Sequence, residues 1–126
     1  MAFRTSREHF EQLAGQALEE LPEEFRQHFT NITVLVEDYP AKEDVLDTGV
    51  PGKDLLGLFR GTDYPHKGGF FDIPYPLPDE IILFQKNIED ICSSEKELVS
   101  EIRLTLVHEV GHYFGLSEED LEQYEE

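Results

Sequence analysis

The chain has 126 residues, 39% of them hydrophobic, with 10 basic residues against 28 acidic ones and a formal net charge of −18. Such a length suits one hydrophobic core, so a single domain over residues 1–126 is expected. The charge argues against nucleic acid and anionic membranes as partners, because both need a cationic footprint.

Acidity of this size suits the attraction of basic substrates or metal ions through the field of the whole molecule, or simply solubility. The single cysteine, Cys92, permits no intramolecular disulfide, which fits a reducing compartment. It has no basic neighbour in EDICSSEKE to activate it, so it reads as a bystander. The charged start MAFRTSREHFEQL does not read as a signal peptide, and no apolar run approaches the roughly 20 residues that span a bilayer. A soluble cytoplasmic protein is the expectation.

In chain order, residues 6–20 put Phe10, Leu13, Ala14, Ala17 and Leu18 at helical spacing behind Ser6, a suitable N-cap. Pro22 interrupts, and LPEEFRQHF reads as a second helical turn. Ile32 to Val36 is β-branched and apolar, a buried strand closed by Pro40. AKEDVLDTGVPGKD is polar and holds Gly and Pro, which predicts a loop. LLGLFRG (55–61) and EIILFQK (80–86) are the next strands. The proline-rich stretch between them is a long irregular connection of the kind that often carries function. The last helix opens on Ser94 with Glu97 as a capping box and carries Leu98, Ile102, Leu106, Val110 and Phe114 as a core stripe. Gly115 ends it. Helices, then strands, then a helix read as an α+β fold.

The chemistry concentrates in VHEVGHYFGLSEED, residues 107–120. His108 and His112 are four apart, so on a helix they stand one turn above each other and both imidazoles can reach one Zn²⁺ at about 2.0–2.1 Å. The apolar positions 106 and 110 lie about 200° away from 108, so one face packs while the other can line a cleft. Glu109 can reach a zinc-activated water without binding the metal, which makes it the candidate general base. Gly111 sits mid-helix, where glycine costs about 1 kcal/mol relative to alanine. A catalytic zinc needs a third protein ligand. After Gly115 the candidates are Glu118, ten residues beyond His108, and Asp120.

Taken together, the chain resembles the small bacterial zincin-like metallopeptidase family from Phe10 to its end. The likeness rests on the opening helix, LPEEFRQHFTNITVLVEDYP, LLGLFRG, LPDEIILFQKNIE and HEVGHYFGLSEEDLE. It implies a minimal zincin fold, a small mixed sheet of three to four strands packed against the His-Glu helix, with N-terminal helices. It also implies an acidic third ligand, carried over onto Glu118. The chain departs from the metzincins, since its one methionine is Met1 and it has no Met-turn. The implied activity is zinc-dependent hydrolysis of peptide bonds in a peptide or protein substrate. The alternative is an interaction module that keeps the metal site without turnover. Tyr64, His66 and Tyr75 are candidate oxyanion donors, and Gly68 to Ile73 is a candidate substrate-aligning edge.

Overall fold

A computed structural model describes residues 2–23, 32–60 and 79–113, with the side chains of residues 79, 112 and 113 outside that description. Helix α1 (Arg7–Glu19) is followed by strand β1 (Ile32–Glu37), the short helix α2 (Lys42–Thr48) and strand β2 (Gly57–Arg60). Strand β3 (Asp79–Phe84) then runs directly into helix α3 (Gln85–Asp90), and helix α4 (Glu95–Tyr113) ends the described chain. The fold is α+β, as the order of elements predicts.

The sheet is mixed and three-stranded among the described residues, in the order β1-β3-β2. β3 is central, parallel to β1 and antiparallel to β2. A strand covered on both faces must be apolar at successive positions, and Ile81, Ile82, Leu83 and Phe84 are all fully buried. Their alternation divides the core. Ile81 and Leu83 join the main cluster beneath the long helices, while Ile82 and Phe84 pack with Leu55 on the other face.

α1 is amphipathic and presents Phe10, Leu13, Ala14 and Ala17 to that main cluster. Ser6 caps it by accepting from the His9 amide at 3.1 Å. α4 contributes Leu98, Ile102, Leu106 and Val110, each fully buried, as the four-residue recurrence requires. Burying side chains of this size contributes about 1.5–3 kcal/mol each. At its start, the Glu97 amide donates to Ser94 Oγ at 3.1 Å, as expected of a capping box. The return bond differs: Glu97 accepts from the Ser93 amide and hydroxyl, one residue further out. Those two bonds hold the Glu97 carboxyl below its usual range.

Two segments depart from the sequence reading. Residues 42–48, expected as loop, form α2. Its cap is local: Asp44 accepts from the Ala41 amide at 2.9 Å, and Gly49 at φ 71° turns the chain out of the helix. Arg60 then pairs with Asp44 at 3.0 Å, fixing α2 to the end of β2. The third strand stops at Phe84 rather than continuing through Lys86, because Gln85 opens α3. Gln85 is 1% exposed and donates to Glu89 and to the Thr5 carbonyl, a polar role that no strand position offers. The second strand is shorter than 55–61, and Leu55 and Leu56 precede it. The second helical turn expected at residues 21–29 lies mostly outside the described residues.

Candidate active site

α4 runs unbroken through Tyr113, so His108, Glu109 and His112 all belong to one helix, with positions 108 and 112 a turn apart on it. His108 and Glu109 are half-buried. Both border a cleft of about 360 Å³ between α4 and the segment that leads into β2. On the helix side the cleft continues through Thr105, Leu104 and Glu101, the same face traced two turns back from His108.

The opposite wall is Val50 to Gly57, and it is held in place from beneath. Asn87, 2% exposed on α3, donates through Nδ2 to the Gly52 carbonyl at 2.7 Å and to the Leu55 carbonyl at 2.8 Å. One side chain thus satisfies two carbonyls of this wall, that of Gly52 partly buried and that of Leu55 buried. Where the wall becomes β2, the backbone meets the helix. A Cβ built on Gly57 would stand 2.7 Å from Thr105 Cγ2 and 3.1 Å from the Ile82 carbonyl oxygen. Thr105 donates its hydroxyl to the Glu101 carbonyl at 2.8 Å, which fixes its rotamer and aims the methyl group at Gly57. Only glycine fits this junction, one turn before His108.

Among the described residues no three His, Cys, Asp or Glu side chains form a metal-binding group. Of the expected ligands His108, His112 and Glu118, only His108 has a described side chain. Glu118, Asp120 and Gly115 lie outside the described residues, as do Tyr64, His66, Tyr75 and the stretch from Gly68 to Ile73. The donors present fit zinc in kind. A half-buried imidazole borders a cleft, and a second histidine follows one turn on in the same helix.

Sequence reasoning missed the rest of the cleft. Glu101 was findable, since it precedes His108 by seven positions and so shares its helical face. Asp54, Leu55 and Gly57 carry no such signal, because only the tertiary fold brings them against α4. Cys92 is buried, and burial pushes its thiol up to about 11.

A small mixed sheet with a long helix laying His-Glu-x-x-His beside its outer strand is the arrangement of the zincin class of metal-dependent hydrolases. The chain belongs to the zincin-like metallopeptidase family, whose sequence model matches residues 29–126. Its fold is similar to that of a conserved hypothetical protein from T. thermophilus, at 25% identity and a TM-score of 0.60. That similarity covers 87% of this chain and 94% of the other. No curated protein matches the chain.

Proposed function

We propose that the protein is a zinc-dependent peptidase in which His108, His112 and Glu118 hold the metal and Glu109 is the general base. One observation carries the reading: α4 brings His108 and Glu109 together to the border of a cleft whose far wall leads into an outer strand. Zinc bound there supplies Lewis acidity, polarising a carbonyl and making a water easier to deprotonate. Glu109 takes the proton from the attacking water and returns it to the leaving nitrogen. β2 pairs only with β3 among the described residues, and its other edge can align an extended peptide backbone. No helix among the described residues is long and apolar enough to cross a membrane, and the buried, unpaired Cys92 suits a cytoplasmic setting.

The test compares wild type with Glu109→Gln for zinc content and for cleavage of a broad peptide library. Both should bind one zinc per chain, and the variant should lose cleavage by at least about 100-fold. Zinc in both with cleavage by neither would favour an interaction module. Absence of stoichiometric zinc would sink the metal site itself.

A further inference from the structure

The cleft beside His108 has a one-sided chemistry. Besides His108, its titratable lining residues are Asp54, Glu101 and Glu109, all acidic, and among the described residues no Lys or Arg lines it. Its apolar lining comes from Val50, Leu55, Leu56 and Leu104. The combination suits a ligand that is apolar in one part and cationic in another. Distance along the helix sets the spacing between the two. Glu101 is seven residues before His108, which at 1.5 Å per residue is about 10 Å along the axis. An extended peptide advances about 3.3 Å per residue, so the same distance takes about three residues. Leu104 lies between Glu101 and His108 on the helix, and Leu55 and Leu56 stand in the facing wall.

We propose that the cleft selects peptides with a Lys or Arg about three residues from the scissile bond and an apolar side chain between them. The substrate class rests on the peptidase reading above, while the groups assigned to recognition, Asp54 and Glu101, are separate from those assigned to catalysis. Asn87 makes this selection structural, because its two bonds to the Gly52 and Leu55 carbonyls hold the acidic and apolar wall in position before any ligand arrives. The net charge of −18 acts in the same direction at long range, drawing cationic chains toward the molecule.

The experiment uses labelled octapeptides identical except for Lys, Ala or Glu at one position, scanned along both sides of a central leucine. Cleavage is followed with the zinc-loaded wild type, and binding with zinc-loaded Glu109→Gln by fluorescence anisotropy. In both measurements Lys should be favoured over Glu by about tenfold at about one or two residues from the leucine, with the bond cut by wild type about three residues from that Lys, as two partly exposed charge contacts allow. That ratio should shrink toward one between about 50 mM and about 500 mM NaCl. In the Asp54→Asn/Glu101→Gln double variant it should fall within about twofold of one. Cleavage with equal rates for Lys, Ala and Glu peptides would overturn the specificity while leaving the peptidase reading intact. Lys-selective binding without cleavage by wild type would do the reverse. A ratio that survives in the double variant would also overturn it.

Discussion

Cys92 shows how burial, with nearby acids, can silence a reactive group. Desolvation is the first cause of its raised pKa, and the nearby carboxylates of Glu101, Glu97 and Glu89 add to it. A thiol raised from 9.0 to about 11 favours the neutral form in the fold. Its contribution to stability is therefore fully present below pH 9 and is lost as pH rises toward 11. Iodoacetamide at pH 8 should accordingly label the native protein only through unfolding, and denaturant should accelerate labelling by orders of magnitude. Mass spectrometry against time reads this, and labelling at the rate of a free peptide thiol would contradict it. Glu89 is the opposite case, a fully buried carboxylate made tolerable by partners. It accepts from the Arg4 guanidinium at 3.1 Å, the Thr5 amide at 3.1 Å and the Gln85 amide at 2.9 Å. Glu89→Ala strands the Thr5 amide and the Gln85 amide and should cost about 1–3 kcal/mol in urea unfolding. A loss under about 0.5 kcal/mol would mean that water replaces the carboxylate without penalty.

At the level of elements, the junction of β2 with α4 is the most constrained contact near the candidate site. Gly57→Ala forces a methyl group against Thr105 Cγ2 and the Ile82 carbonyl. Overpacking of this kind costs about 1–3 kcal/mol. Adding Thr105→Ser removes the opposing methyl, so the double variant should recover part of the loss, though not the part due to the Ile82 backbone. Thermal unfolding of the two single variants and the double variant measures that coupling; strictly additive effects would show that the methyl contact is not the cause. The same elements show what could be read in advance. α1 and α4 follow from helical periodicity, and β1 and the apolar part of β3 from their apolar runs, although in β1 only Val36 is buried. The placement of His108 and Glu109 on α4 was legible for the same reason. α2 was not, because KEDVLDT has no apolar stripe and depends on the Asp44 cap and on Arg60, sixteen residues away. The change from strand to helix at Gln85 was equally hidden, since its buried amide is satisfied by Thr5, eighty residues earlier. The facing wall of the cleft belongs with these, for Asn87 reaches back thirty-five residues to hold Gly52.

For the whole molecule the deciding quantity is charge. With 28 acidic residues against 10 basic ones, repulsive pairs outnumber attractive ones. Several arginines are already engaged: Arg4 with Asp90, Arg7 with Asp38 and Arg60 with Asp44. Salt weakens these pairs, but they are partly exposed and each contributes at most about 1 kcal/mol. It also screens the net self-repulsion of the compact state, and at −18 that effect should dominate. Raising NaCl from about 20 mM to about 300 mM should therefore raise Tm by a few degrees. The gain should level off as the Debye length drops below roughly 6 Å, and a neutral salt such as NaCl keeps general salting effects small. A Tm that falls over this range would show that the attractive pairs prevail. Stability and selectivity are then opposed by the same screening. On the proposed specificity, salt that steadies the fold should weaken the pull of Asp54 and Glu101 on a cationic peptide. Cleavage of a Lys-bearing peptide should decline across the range in which Tm rises, while that of its Ala counterpart changes less. Measured together, the two curves separate a charge-guided substrate from a general loss of folded protein, which would lower both rates in step.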